Sequence, residues 1–279
     1  MARIILKLVF IFICLISSLM MAQDFHGTAI YETKAELGSI KVSSNDLAIK
    51  MNIEERIKKA MEKTYILIFN KKESMYSEEV ELESPEGIDM QIFKMYNTDG
   101  RKTYKNIQDR IEITEKDFFG KEFLLQDSLP IWNWKLDGET KKIGNYTCYK
   151  ASVMVPVSEE AKKNFEENKK KNSENNTQFT AMDEPKDKTI TAWYAPEIPV
   201  SLGPEKYWGL PGLILEANDG NIAILCSKII LNPKKKIEIK RPNKGKKVNK
   251  KQYEEITSKL LESMKNRNGS IEIRSGAEY

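Results

Sequence analysis

Histidine is almost absent from this chain of 279 residues, which contains only His26. A Ser-His-Asp or Cys-His catalytic arrangement would have to use that single residue, which lies near the N-terminus. The common histidine-rich zinc sites are excluded for the same reason. The chain also lacks a Cys-x-x-Cys pair. We therefore predict no catalytic residues, no metal site and no cofactor.

A strong charge imbalance is also absent. The 45 lysines and arginines nearly balance the 41 aspartates and glutamates, and the formal net charge is +4. This balance argues against a nucleic-acid partner, which would require a strongly basic surface. Beyond the N-terminus, no apolar stretch is long enough to cross a bilayer as a helix, so we predict no transmembrane segment in the mature chain.

The N-terminus has the three parts of a secretion signal. Arg3 and Lys7 give it a positive start, the apolar run at 8–16 is too short to span a bilayer, and Ala22 ends a stretch suited to cleavage. We predict a signal peptide at 1–22 and an exported protein that works in the cell envelope.

The rest of the chain is rich in strand patterns. Segments with β-branched and aromatic residues are separated by turn signals such as Asn218-Asp219-Gly220. Because tight turns join antiparallel strands, we predict a mainly β (α+β) fold with a curved, mostly antiparallel sheet, either a half-barrel or a sandwich. The predicted strands are 25–34, 64–70, 91–96, 102–107, 110–114, 122–126, a strand with Trp132 and Trp134 on one face that ends at the turn Asp137-Gly138, 146–155, 189–194, 213–217, 221–231 and an edge strand at 234–240.

One or two amphipathic helices are predicted to pack on this sheet. Apolar residues recur at helical spacing in 45–63 and 251–266. The highly charged segment 158–188 predicts a solvated helix or a flexible insertion. The predicted organisation is a signal peptide at 1–22, one β-rich domain at 23–240 that contains this insertion, and a basic linker with a C-terminal helix at 241–279.

Two cysteines remain after signal cleavage, Cys148 and Cys226, and both lie in predicted strands. An oxidising compartment permits a disulfide between them. Two buried free thiols in a β core are the alternative, and the sequence does not decide between the two states.

A loop rich in proline and glycine, which we call the corner loop (residues 195–212), holds the main candidate site. Its end, Gly209-Leu210-Pro211-Gly212, is followed by a strand and lacks the pattern of a phosphate-binding loop. We expect a type II turn with Gly212 at positive φ. The surrounding aromatics predict either an aromatic-walled groove for a peptide or lipid, or a rigid buried corner. The candidate partner-binding residues are Trp193, Tyr194, Tyr207, Trp208, Leu210 and Pro211.

This region resembles the GLPGLI family of bacterial envelope proteins. The signature is the string 207–216, Tyr-Trp-Gly-Leu-Pro-Gly-Leu-Ile-Leu-Glu, and the block 142–151, Lys-Ile-Gly-Asn-Tyr-Thr-Cys-Tyr-Lys-Ala, precedes it in the family's order. The similarity covers roughly 130–217. It implies a secreted protein of Gram-negative bacteria, in the periplasm or at the outer membrane, and an accessory role beside TonB-dependent receptors. The family has no established activity, so it supplies no catalytic residues.

Three hypotheses follow for function. The first is a non-enzymatic binding or accessory protein that contacts an outer-membrane receptor or transporter through the corner loop and its flanks. The second is a periplasmic lipid or lipoprotein carrier, with helix 45–63 as a lid over an apolar cavity. The third is a hydrolase that uses carboxylates or a Ser-Lys pair.

Overall fold

A computed structural model describes residues 25–35, 62–79, 102–175, 184–235 and 237–264, together with positions 51, 55 and 59. Within these ranges the chain forms twelve strands and two helices. The strands are β1 (His26–Ala35), β2 (Thr64–Asn70), β3 (Glu73–Glu78), β4 (Lys102–Asn106), β5 (Ile111–Phe118), β6 (Lys121–Ser128), β7 (Lys135–Ile143), β8 (Tyr146–Val155), β9 (Lys188–Ala195), β10 (Leu213–Asn218), β11 (Ile222–Leu231) and β12 (Lys246–Val248). The helices are α1 (Glu159–Asn175) and α2 (Lys250–Met264).

All twelve strands belong to one sheet, in the order β12-β6-β5-β4-β3-β2-β1-β11-β10-β9-β8-β7. Neighbouring strands are antiparallel, except that β12 lies parallel to β6. The sheet therefore consists of two meanders, β1 to β6 and β7 to β11, joined where β1 pairs with β11. The mainly β prediction is confirmed, whereas its finer choice between a half-barrel and a sandwich is not.

The main core lies against β1 and its neighbours. Tyr31, Leu67 and Phe69 are fully buried there, and they belong to the same cluster as Leu202 and Leu210 of the corner loop. The Tyr31 hydroxyl donates a hydrogen bond to the Ile214 carbonyl at 2.8 Å, so this large polar group is satisfied inside the core. The corner loop is thus part of the core, not an appendage of it.

A second cluster covers the opposite face of β4 to β6. It contains Tyr104, Ile113 and Leu124, each at most 2% exposed, and Ile239 packs against them. The segment that carries Ile239 was predicted as an edge strand at 234–240. In its described residues no strand forms, because Ile239 covers a sheet face instead of pairing along an edge.

The other predicted elements have mixed outcomes. The β10–β11 hairpin forms around Gly220 at φ 83°, and the C-terminal helix forms as α2. The charged insertion contains the helix α1, whose described side chains are mostly exposed. The strands β3, β7 and β12 were not predicted. The strand predicted to carry Trp132 and Trp134 does not form, because both indoles are bound to carbonyls of the corner loop and β7 begins only at Lys135. The signal peptide and the strand at 91–96 lie outside the described residues. Of helix 45–63 only positions 51, 55 and 59, which are helical, and residues 62–63, which are not, are described.

Candidate functional site

The predicted corner residues come together in the structure, but most of them point into the core. Tyr207 is 2% exposed, Leu210 is 1% exposed and Tyr194 is 6% exposed, while Trp193 and Trp208 are half-buried. Burial also raises the pKa of the Tyr207 hydroxyl. Side chains in such positions stabilise a fold more readily than they contact a partner.

Three tryptophans, which we call the indole clamp (Trp132, Trp134 and Trp208), fix the corner loop to the chain before β7. Trp132 donates its indole N–H to the Lys206 carbonyl at 3.0 Å, and Trp134 donates to the Trp208 carbonyl at 2.9 Å. In the reverse direction, Trp208 donates to the Pro130 carbonyl at 2.7 Å. Each indole thereby satisfies its one donor on a backbone oxygen, which gives the aromatic residues a positional role.

The turn at the end of the corner loop differs from the predicted one. Gly209, not Gly212, has a positive φ, at 93°. Gly212 donates its N–H to the Leu210 carbonyl at 2.9 Å, which closes a three-residue turn around the exposed Pro211. A Cβ on Gly212 would lie 2.4 Å from the Ala195 carbonyl oxygen. Glycine is needed at 212 for close packing, so the predicted type II turn is wrong.

The accessible part of the corner region lies beside Tyr194. A shallow cleft of about 310 Å³ is lined there by Thr147, Tyr149, Tyr194, Pro196 and Glu197. Tyr149 is 40% exposed, and its ring lies 6.0 Å from that of Tyr194. This surface offers an aromatic contact, although it includes only one of the predicted corner residues.

Lys105 lies under the corner loop and has no solvent exposure. Its Nζ donates to the carbonyls of Gly203 and Glu205 at 2.6 Å each and to that of Tyr207 at 3.2 Å. Burial lowers the pKa of this lysine to about 8, against the opposing influence of the Glu112 and Glu205 carboxylates. The ammonium group therefore uses all three of its donors on one short stretch of backbone.

The Ser-Lys pair that a hydrolase would need does occur as neighbours in the sheet. Ser74 on β3 is directly opposite Lys105 on β4, and both are fully buried. Within the described part of the chain, Ser74 Oγ has no hydrogen-bond partner. An ammonium held by three carbonyls has no lone pair to accept a proton from Ser74, and no substrate reaches a fully buried hydroxyl. The geometry assigns Lys105 a positioning role.

A larger cavity, the helix groove, lies between the sheet and α2 and has a volume of about 510 Å³. This volume is within the range of small-molecule sites. Its floor is the face of β4, β5 and β6 that also carries Lys105, because residues in register on neighbouring strands share a face. The floor residues are Thr103, Glu112, Thr114, Lys116, Leu125 and Asp127.

The walls of the helix groove come from two other elements. Glu205 and Lys206 of the corner loop form one wall, and Lys250, Tyr253 and Glu254 of α2 form the other. The helix is seated by aromatic packing: the Tyr253 ring lies edge-on to Phe123 at 5.2 Å and to Phe118 at 6.3 Å. Three separate elements therefore shape this cavity.

The groove carries charges of both signs. Glu112 and Asp127 are directly opposite each other on β5 and β6. Asp127 accepts the Lys250 backbone N–H at 3.0 Å, and Lys116 places its Nζ 5.0 Å from the centre of the Tyr253 ring. The lysine stems and the tyrosine ring add apolar wall surface to these charged ends. Such a lining suits a small ligand that has both charged groups and apolar parts.

Cys148 and Cys226 are buried and free in the structure. They lie on β8 and β11, with β9 and β10 between them in the sheet. Burial raises the pKa of Cys148 to about 11 and that of Cys226 to about 12, so both are held as unreactive thiols at neutral pH.

In the described ranges, His, Cys, Asp and Glu side chains form no group of three that could hold a metal ion. Over those same residues, no helix has the length and apolar character that crossing a membrane requires.

No pattern in the sequence directly indicated Lys105 or the helix groove. The pattern 102–106, Lys-Thr-Tyr-Lys-Asn, predicts a strand with polar residues towards solvent, yet Thr103, Tyr104 and Lys105 are all buried. Both faces of β4 are covered by segments more than 90 residues further along the chain, among them the corner loop. Only the predicted amphipathic C-terminal helix indicated that something packs in this region.

Comparisons with known proteins are consistent with a bacterial protein family without an assigned function. Residues 134–216, less than half of the chain, match a family described as "Protein of unknown function (Porph_ging)". They coincide with the region that resembles the GLPGLI family, although that description does not carry this name. No curated protein matches the chain.

Solved structures with partial similarity include PNGF-II and a lipoprotein. PNGF-II, in its C2 crystal form, is 15% identical with a TM-score of 0.47, and the match covers 84% of this chain and 33% of PNGF-II. The Mycobacterium tuberculosis lipoprotein LppX is 9% identical with a TM-score of 0.24, over 76% of this chain and 87% of LppX. The chain thus spans about a third of PNGF-II. With TM-scores below 0.5, neither similarity indicates a function for this chain.

Proposed function

We propose that this protein is an exported, non-enzymatic binding protein of the cell envelope that holds a small ligand of mixed charge in the helix groove. In this role it would serve an outer-membrane receptor or transporter. The single observation that supports the proposal is the groove itself, which the sheet, the corner loop and α2 build together.

The distribution of charge supports a ligand with groups of both signs. Glu112 and Asp127 on the floor would attract an ammonium or guanidinium group. Lys206 and Lys250 on the walls would attract a carboxylate or another anion. The Tyr253 ring and the Lys116 stem offer apolar contact between them. A short peptide with free termini has this combination of groups.

The groove is a better binding site than the buried part of the corner. Tyr207 and Leu210 are already packed in the core, and the indole clamp is committed to backbone carbonyls. A receptor would instead meet the exposed surface near Tyr149 and Pro211. The corner loop then links the two surfaces, because it also carries Glu205 and Lys206.

Calorimetric titration with three tripeptides tests the proposal. One tripeptide contains a lysine and a glutamate and has free termini; the others are all-lysine and all-glutamate, each with its oppositely charged end blocked so that it carries charges of one sign only. We expect the mixed-charge tripeptide to bind more tightly than the other two. In Lys250→Glu or Glu254→Lys its affinity should fall about ten-fold, the equivalent of 1.4 kcal/mol.

Lys251→Glu and Glu255→Lys are the matched controls. Each lies on α2 beside its test position, makes the same charge change near the helix N-terminus and is absent from the groove lining. These controls should bind like the unmodified protein. Equal losses in test and control variants, or no binding of any tripeptide, would refute the groove assignment. Lipid in an organic extract would then favour the carrier hypothesis, and hydrolysis of the tripeptides would favour an enzyme.

A further inference from the structure

We propose that Lys105 is the positioning residue of the helix groove, and that its ammonium group holds the loop wall of the groove in place by binding the backbone of residues 203–207. The importance of that wall for ligand binding rests on the proposed function. The attachment of the loop does not, so the two ideas can fail separately.

The geometry that supports this inference is convergence on one nitrogen. The carbonyls of Gly203, Glu205 and Tyr207 point at the same Nζ, although they lie 98 to 102 residues from Lys105 in the sequence. Three aligned carbonyls repel one another unless a cation lies between them. The loop therefore needs the charge of Lys105 to keep this shape.

The same stretch of loop forms the groove wall. The side chains of Glu205 and Lys206 line the cavity, while the backbone around them is bound to Lys105. Thr103, two residues before Lys105 on the same face of β4, belongs to the groove floor. One strand thus supplies both the floor of the groove and the anchor of its wall.

The charge state of Lys105 depends on the groups around it. Glu112 faces it from β5 and Glu205 from the loop, Ser74 is opposite on β3, and the Tyr207 ring lies in the same segment. The two carboxylates favour the ammonium form, but burial outweighs them and lowers the pKa of Lys105 to about 8. Above that pH a neutral amine with two N–H donors would face three carbonyls, which weakens the hold on the loop.

Chemical rescue tests the attachment directly. Lys105→Ala removes the propylammonium portion of the side chain and leaves a space that free n-propylammonium can occupy. At pH 7 we expect amide hydrogen exchange at Tyr207 and Gly209 to rise about ten-fold or more in Lys105→Ala, since local opening controls such exchange. Millimolar n-propylammonium should restore protection. Lys102→Ala, an exposed lysine on the same strand, is the matched control and should change neither measurement.

A pH titration of the unmodified protein gives a second test, which can be carried out even if Lys105→Ala does not fold. Because Trp132 and Trp134 donate hydrogen bonds to the Lys206 and Trp208 carbonyls of the same loop, tryptophan fluorescence should change with a midpoint near pH 8. Lys105→Met should lack that transition. Any one of three results would overturn the inference. These are unchanged amide hydrogen exchange in Lys105→Ala, no rescue by n-propylammonium in a folded variant, and no fluorescence transition near pH 8. Tripeptide binding that fails while these loop measurements succeed would refute the proposed function alone.

Discussion

At the residue scale, Gly212 is a position where the lack of space beside the backbone requires glycine. Its φ is not positive, so conformational freedom does not explain the glycine. The Ala195 carbonyl oxygen occupies the space that a Cβ would need, at 2.4 Å. By contrast, Gly220 has a φ of 83° and nothing within 4 Å of its Cβ direction, so only its backbone conformation requires glycine.

This difference predicts opposite tolerances to asparagine, which adopts a positive φ more readily than most residues. Gly220→Asn should change the free energy of unfolding by less than about 1 kcal/mol. Gly212→Asn and Gly212→Ala should each cost about 3 kcal/mol because backbone must move to admit a side chain. Urea unfolding followed by fluorescence measures both. Similar costs at 212 and 220 would contradict the packing explanation.

Some residue roles could be predicted from the sequence and others could not. The corner motif indicated either an aromatic-walled groove or a buried corner, because glycine, proline and tryptophan have strong local preferences, and in the structure Tyr207 and Leu210 are buried. Lys105 could not be assigned, since its three partners are carbonyl oxygens, and every residue has one. Because such hydrogen bonds go to backbone atoms, they do not restrict which residues occupy the partner positions.

At the scale of elements, α2 begins with a reciprocal cap that fixes one wall of the helix groove. Asn249 accepts the Gln252 backbone N–H at 2.8 Å, and the Gln252 side chain accepts the Asn249 backbone N–H at 3.0 Å. Two N–H groups that the helix itself cannot satisfy are thereby paired. Asp127 accepts a third from Lys250, which joins the helix start to β6.

We predict that Asn249→Ala will destabilise α2 by about 1 kcal/mol, the usual cost of removing such a cap. Hydrogen exchange of the first-turn amides of α2 should increase, and tripeptide affinity should fall because the helix wall becomes less ordered. Asn249→Asp keeps the acceptor and adds a charge that the helix N-terminus favours, so it should match the unmodified protein. An Asn249→Ala variant with unchanged exchange would show that packing alone holds the helix.

Two of the three strands that sequence patterns missed, β3 and β7, share one property, while the third, β12, has only three residues. Neither β3, Glu-Ser-Met-Tyr-Ser-Glu, nor β7, which reads Lys-Leu-Asp-Gly-Glu-Thr-Lys-Lys-Ile, has the apolar content of a half-buried strand. β7 is the last strand of the sheet, so it has no second partner in the sheet and remains largely exposed. Conversely, the alternating segment around Ile239 is not a strand. Alternation reports which face is buried, and it does not require hydrogen bonding to a neighbour.

At the scale of the whole molecule, the sheet holds the two cysteines as buried free thiols on β8 and β11, two strands that are separated by β9 and β10. We therefore predict that both cysteines are thiols in the purified protein, even without reductant.

Alkylation followed by peptide mapping measures their state. In denaturant, without reductant, both Cys148 and Cys226 should be labelled. In the folded protein at pH 7, neither should react appreciably, because burial protects the thiols and raises their pKa. A cross-linked peptide that contains both residues would contradict the prediction.

The order of the strands in the sheet could not be predicted from the sequence, because it depends on contacts between distant segments. Local patterns place β1, β2, β10 and β11 correctly, but nothing in them indicates that β1 pairs with β11 or that β12 lies parallel to β6. These pairings join distant segments, and their choice depends on the packing of the complete core. The helix groove depends on the same long-range contacts, which explains why its charged lining could not be distinguished from ordinary surface residues.

The pairing of β1 with β11 also sets the order in which this chain can acquire its structure. His26 and Asn232, hydrogen-bonded across this junction, are separated by 206 residues. Synthesis at about 5–20 residues per second separates their appearance by roughly 10–40 seconds. The first strand must therefore wait for nearly the entire chain before its second neighbour exists. Until β11 has been made, the two halves of the sheet, β1 to β6 and β7 to β11, remain unjoined.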